Sequence, residues 1–324
     1  MPDPATWQRW LVENLLRGVE PAALLALLTA EGVPAAEVQQ ALATLPAQPA
    51  YQAAARLAHA VARSRSLDAR ARKLAAYRDP PDGVPRRAGL TTRAFYREHV
   101  ATNLPVVLTD ACAAWPAVGR WSPAYLRERV GPATVRVMAG RDADPRYHQH
   151  QEENWQEMSM AAYSALVERA GSSNDFYMVA SNRNLERTDL LPLQADLRPL
   201  PAVMDPGSAP STMHMWFGPA DTRTPLHRDM HPVLLCQVYG RKRLWLIQPR
   251  EMALILAEEG FYAPLNCEAP DFARFPDLPP TSILEVELAP GEALYIPWDW
   301  WHQARALEPS ISVALDAFRR PEDV

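Results

Sequence analysis

The sequence predicts a mainly β domain of sandwich or barrel type, preceded by an all-helical N-terminal domain. Three observations predict it. Apolar residues in roughly the first 80 positions recur at helical spacing. A breaker, Asp79-Pro80-Pro81-Asp82-Gly83-Val84-Pro85, then interrupts the chain. From Ser211 onward, short apolar runs alternate with Gly and Pro turns, the mark of many short strands.

The helical part reads in four pieces. Trp7, Trp10, Leu11, Leu15 and Val19 form one stripe. Pro21 opens a second helix over Ala22 to Glu31, and Gly32 suits its end because glycine enters the left-handed cap conformation freely. Pro34 precedes Ala35 to Leu45, where a first helical turn accepts proline. A long Ala- and Arg-rich helix is expected from Tyr51 to Tyr77. Residues 1–78 are thus the expected helical domain, 79–87 a linker and 88–324 the β domain. Within the last, strands are expected at Leu104–Thr109, Val135–Met138, Phe176–Ala180, Met213–Phe217, Val233–Val238, Arg243–Ile247, Ile283–Leu288, Ala293–Ile296 and Ile311–Phe318. Helices are expected over Met158–Ala170 and Glu251–Glu259, and a Pro-rich loop over Pro264–Pro280.

Composition narrows the class. The 324 residues are 48% hydrophobic and 22% charged, enough to bury a core. A net charge of −5 gives no electrostatic reason to expect nucleic acid. Cys112, Cys236 and Cys267 show no CxxC spacing, which suits a reducing compartment rather than a disulfide framework. The opening MPDPATWQRW lacks a basic segment followed by an apolar one, so no secretory signal is expected. Ala22 to Ala30 is too short to span a bilayer. No membrane association and a cytoplasmic location are expected.

The chemistry concentrates in Thr224-Pro225-Leu226-His227-Arg228-Asp229. Side chains two apart on a strand project to one face, so His227 and Asp229 reach one ion while Leu226 and Arg228 point away. His302, in Trp298-Asp299-Trp300-Trp301-His302, is the candidate third ligand from a distant strand. Taken alone it reads more readily as a core or surface histidine beside a tryptophan cluster. Two imidazoles and a carboxylate make the facial triad of non-haem Fe(II) oxygenases, which leaves positions open for a bidentate oxo-acid and O₂.

The run Thr224 to Arg243, with Pro290-Gly291-Glu292-Ala293-Leu294-Tyr295-Ile296-Pro297 and Trp300-Trp301-His302, resembles the cupin-like JmjC oxygenases. That family includes the asparaginyl hydroxylase acting on hypoxia-inducible factor and its bacterial cupin-like relatives. Asn103-Leu104-Pro105-Val106-Val107-Leu108, Trp115-Pro116 and Trp121-Ser122 fit the opening of the same domain. The resemblance covers roughly Leu90 to Phe318, not the N-terminal helices. It implies a double-stranded β-helix (jelly roll, cupin/JmjC) with Fe(II) as cofactor and 2-oxoglutarate as cosubstrate. It assigns the far carboxylate of 2-oxoglutarate to Lys242, Thr224 and Tyr177. Lys242 is legible without it as well, because a lysine sharing a strand face with Leu244 and Leu246 needs an anionic partner. Relatives often carry asparagines where this chain has Val233 and Ala314, so two polar groups are missing from the expected pocket.

The resemblance implies an Fe(II)- and 2-oxoglutarate-dependent dioxygenase that hydroxylates a C–H bond, on a peptide or protein side chain. Demethylation of a methylated side chain, hydroxylation of a small molecule and a non-catalytic ligand-binding cupin remain alternatives. Two loops, Asp142–Trp155 and Pro264–Pro280, are free to cover the iron-bearing mouth. Tyr147, His148 and His150 in the first, with Trp298 and Trp301, are the expected substrate contacts; His148 and His150 also share HxH spacing. The sequence ends at Val324 soon after the last expected strand, so a homodimer is expected to use the N-terminal helices, through Trp7, Trp10, Leu15 and Leu25.

Overall fold

The computed structural model describes residues 3–75, 83–205, 213–255 and 257–319. The chain divides into two compact units, Met1–Pro80 and Pro81–Val324. Residues 76–82, where the helical domain and the linker were expected to meet, lie outside the described residues.

The first unit is helical, with α1 Pro4–Leu16, α2 Pro21–Ala30, α3 Ala35–Thr44 and α4 Pro49–Ala75. The Asp3 carboxylate accepts the Thr6 N–H and caps α1. Gly32, at φ +87°, closes α2 while the Val33 N–H returns to the Leu28 carbonyl. Trp7, Leu11, Leu24, Leu28, Val33 and Val38 meet in one cluster, with Leu15 and Leu25 packed on it. This corrects the expected dimer surface: Trp7 is 5% exposed, spent on the unit's own core, which leaves Trp10 and Leu27 as its outward apolar side chains near α1 and α2.

Among its described residues the second unit holds thirteen strands: β1 Arg86–Arg87, β2 Val106–Leu108, β3 Thr134–Ala139, β4 Trp155–Ser159, β5 Phe176–Tyr177, β6 Met213–Gly218, β7 Arg223–His227, β8 Val233–Tyr239, β9 Lys242–Ile247, β10 Leu284–Leu288, β11 Ala293–Ile296, β12 Trp301–Ala306 and β13 Ser310–Leu315. They form a six-stranded sheet in the order β1-β2-β11-β8-β13-β6, a four-stranded sheet β10-β9-β12-β7 and a three-stranded sheet β4-β3-β5. All pairings are antiparallel except β1 with β2. Arg86 and Arg87, expected as linker, are that parallel edge.

Alternation sets the layers. On β9, Leu244 and Leu246 join Leu235 of β8 and Leu294 and Ile296 of β11 in a cluster between the two larger sheets. Trp245 and Ile247 point the other way, into a cluster with Leu226, Trp301, Leu265, Phe275 and Leu278. On β13, Ile311, Val313 and Leu315 face helices on the outer side of the six-stranded sheet, where Leu126, Met160, Tyr163 and Val167 pack. Strands covered on both faces read as continuous apolar runs, which is why β8, β11 and β13 were legible. The helix expected over Glu251–Glu259 is described only as Met252–Ile255.

Candidate metal centre and its cavity

Two strand residues and one just past a strand end converge at one end of the space between the two larger sheets. His227 closes β7, Asp229 follows it, and His302 is the second residue of β12, directly across from His227. Asp229 Oδ1 lies 3.9 Å from His227 Nε2, and Oδ2 3.6 Å from His302 Nε2. One ligand atom from each lies within 4.8 Å of the others. Each imidazole is oriented from within its own strand. His227 Nδ1 meets the Pro225 carbonyl at 2.9 Å and His302 Nδ1 the Trp300 carbonyl at 3.0 Å. An Nδ1–H donated to a carbonyl leaves Nε2 as the lone-pair side, the arrangement that metal-ligating histidines use.

The electrostatics suit a cation. Burial, then repulsion from His302, lowers the His227 pKa to about 4, so its imidazole is neutral at ordinary pH. Burial opposes the charge of Asp229, yet the imidazoles of His302 and His227, with His231 and His214 behind them, outweigh it and bring its pKa below the usual carboxylate value. Two imidazole nitrogens and one carboxylate on one face fit Fe(II), with coordination positions to spare.

A cavity of about 570 Å³ opens from this centre. Lys242 stands at its far end, fully buried, and burial alone lowers its pKa from 10.5 to about 7. Its ammonium donates to Ser312 Oγ at 2.7 Å and Tyr177 Oη at 3.2 Å. Ser312 in turn donates to Gln237 Oε1 at 2.7 Å, and Gln237 donates to the Tyr239 and Gly240 carbonyls. Arg241 and Arg243 face outward to Glu287, Glu308 and Glu285. Thr224 also lines the cavity, although three residues before His227 a regular strand would turn it away. The register explains it. His302 pairs with His227, but Ala304 pairs with Thr224, so β7 carries one residue more than β12 over this stretch. That β-bulge returns Thr224 to the inner face.

The loop 142–154 supplies one wall of the mouth. Tyr147, His148 and Gln151 line the cavity. The His148 ring packs on Tyr262 at 4.5 Å, and Tyr262 stacks on His227 at 5.7 Å. His150 does not join them: its Nδ1 meets Asp144 Oδ2 at 2.9 Å, so the HxH spacing builds no second ligand pair. Three further expectations are corrected. Trp301 is fully buried in the outer cluster, because it precedes the inward His302 on a strand and must face the opposite side. Trp298 is exposed but does not line the cavity. The Pro264–Pro280 loop covers the outer face, through Leu265, Cys267, Phe275 and Leu278, rather than the mouth. Sequence reasoning missed Arg141, Tyr262 and the His214–Asp316 pair opposite the triad, all cavity-lining. Each sits singly at a strand end or in a turn, with no motif to mark it.

This geometry is that of a metal-dependent cupin. The profile of the cupin-like domain family matches residues 92–318, and the chain belongs to that family. Among curated proteins it is similar to Lysine-specific demethylase JMJ30 of Arabidopsis thaliana, at 29% identity over 72% of this chain and 54% of the relative. It is similar to Lysine-specific demethylase 8 of Danio rerio, at 29% over 73% of this chain and 59% of that protein. The human Bifunctional peptidase and (3S)-lysyl hydroxylase JMJD7 is 28% identical over 68% of this chain and 78% of its own length. The chain spans only 53–59% of the length of the first three relatives it matches. No helix among the described residues is long and apolar enough to cross a membrane.

Proposed function

We propose that this chain is an Fe(II)- and 2-oxoglutarate-dependent dioxygenase that hydroxylates a side chain of a peptide or protein. The observation that carries the reading is the cavity with a His-Asp-His centre at one end and a buried lysine at the other. Two facing antiparallel sheets, one of six strands and one of four, support a double-stranded β-helix, with residues 88–324 as the catalytic domain. His227, Asp229 and His302 hold the iron, which when bound supplies the chemistry that couples decarboxylation of 2-oxoglutarate to C–H hydroxylation.

The chain's own groups do the rest. Lys242 anchors the far carboxylate of 2-oxoglutarate and takes its full charge when that carboxylate arrives. Tyr177 and Thr224 direct hydroxyls toward the same group. Val233, Leu235, Leu244, Ile296 and Ala314 line the cavity with apolar surface and keep water from the reacting end. Tyr147 and His148 form the wall that an incoming side chain passes. Lysine is the side-chain class that the names of the relatives support, and the same names keep demethylation of a methylated lysine as the second reading.

The test is 2-oxoglutarate turnover with lysine-containing and methyl-lysine peptides, read by mass spectrometry. A gain of one oxygen supports hydroxylation, and loss of a methyl group supports demethylation. His227→Ala, Asp229→Ala and His302→Ala should each abolish turnover and lower bound iron while circular dichroism stays unchanged. Wild-type turnover by Asp229→Ala would sink the metal assignment.

A further inference from the structure

Arg141 takes no part in that reading, yet it is a buried cation of the same cavity. It lines the cavity and is 2% exposed. Its Nη2 donates to the Arg223 carbonyl at 2.5 Å, whereas Nε and Nη1 are buried without a hydrogen-bond partner. Among the described residues no carboxylate forms an ion pair with it. Its charge is met by ring faces, Tyr147 at 4.1 Å and Tyr177 at 5.3 Å. A guanidinium keeps its proton, so it cannot escape burial by becoming neutral as a lysine can. A buried cation with unused donors is strongly unfavourable unless an anion completes it.

Its position says which end of the cavity the anion occupies. Arg223, whose carbonyl holds Arg141, lies between Thr222 and Thr224 on the edge strand β7. Thr222 accepts the N–H of Ala306, and Ala306 pairs with Lys242. This is the lysine end of the sheet; the His227–His302 pair lies further along. Tyr177 touches both cations, accepting from Lys242 Nζ at 3.2 Å and presenting its ring to Arg141.

We propose that Arg141 is a second cationic group for the far carboxylate of a dicarboxylate keto acid, acting beside Lys242 across the ring of Tyr177. The proposal rests on the oxygenase reading above and adds to it a residue that sets selectivity for a dicarboxylate over a monocarboxylate. The unused Nε and Nη1 donors lie on the two edges of the planar guanidinium fork that each share Nη2, and either edge can offer an N–H to a carboxylate oxygen. Tyr147 covers one face of that fork, so the substrate wall and the anion subsite share a side chain.

Calorimetry on the zinc-loaded, catalytically silent protein tests it with two ligands. These are 2-oxoglutarate and 2-oxopentanoate, which is the same keto acid with a methyl in place of the far carboxylate. Arg141→Met should weaken 2-oxoglutarate binding about tenfold to a hundredfold, the range for a lost hydrogen bond to a charged group, and leave 2-oxopentanoate binding unchanged. Arg141→Lys should recover part of the loss, which a merely structural role would not predict. Equal weakening of both ligands would overturn the proposal, as would an unchanged affinity for 2-oxoglutarate while Lys242→Met lowers it. If Arg141→Met spares both keto acids but weakens an acidic peptide substrate, the anion is the substrate's and the proposal is wrong. If wild type does not prefer 2-oxoglutarate over 2-oxopentanoate, the oxygenase reading itself falls with it.

Discussion

Lys242→Met exchanges a buried ammonium for an apolar end of similar length, and the structure gives the energy at stake. Burial shifts the lysine from 10.5 to about 7. At roughly 1.4 kcal/mol per pKa unit, that is on the order of 5 kcal/mol against the charged form in the empty protein. Below the folded pKa, lysine is charged in both states and the whole penalty applies. Between about 7 and 10.5 the unfolded chain holds the proton while the fold does not, so stability rises with pH across that window. About 2 kcal/mol of the rise falls between about pH 7 and pH 9. Urea unfolding of the metal-free wild type and Lys242→Met measures it directly. The variant should be the more stable at neutral pH, offset by roughly 1 kcal/mol for the hydrogen bonds lost at Ser312 and Tyr177. Its advantage should shrink by about 2 kcal/mol toward pH 9. A difference between the two proteins that stays constant over the window would refute the reasoning, because the lysine would then not be titrating there.

Other outcomes follow from the same geometry. NMR titration of the metal-free protein should place the His227 imidazole near 4, below the ordinary 6.5, so that its contribution to stability is lost as pH falls through that interval; a midpoint at 6.5 would show a hydrated ring. Replacing His148 to His150 with Gly-Ser, which leaves Tyr147 on Arg141, should lower hydroxylation of a peptide at least severalfold while sparing substrate-free decay of 2-oxoglutarate, and a parallel fall of both would assign the loop to the fold. Leu11→Ala should destabilise the helical unit by about 2–5 kcal/mol in thermal unfolding, since Leu11 is fully buried there; a loss under about 0.5 kcal/mol would mean that cluster is loose.

Much of the centre was legible because it obeys simple periodicities. His227 and Asp229 are two apart, Lys242 shares a face with Leu244 and Leu246, and each property is local to one strand. What escaped depends on neighbours in space. Thr224 was expected from the family resemblance alone: it lies at the wrong spacing for the inner face, and only the pairing of β7 with β12 reveals the bulge that turns it inward. β12 itself reads as a turn, because Trp298-Asp299-Trp300 hides the strand start at Trp301. Once that start is placed, Trp301 must face away from His302, which removes it from the substrate contacts. Arg141 sits at the end of a short strand among charged loop residues, so its burial could not be foreseen from composition. β4 lay inside what read as a loop and the start of a helix, since Trp155 to Ser159 mixes polar and apolar residues without a clear alternation.

The chain Lys242–Ser312–Gln237 crosses from β9 of one sheet to β13 and β8 of the other, beside a cluster rich in leucine, isoleucine and valine. Aliphatic side chains of similar volume exchange places at modest cost, so they tell two stacked sheets that they should touch but only weakly where. Three linked polar groups are different. Displace one sheet by a single pleat and an ammonium, a hydroxyl and an amide lose their partners together. The strut therefore acts as a dowel: the metal-centre histidines and Lys242 ride on one sheet, and the strut selects which residues of the other sheet face them before any ligand enters.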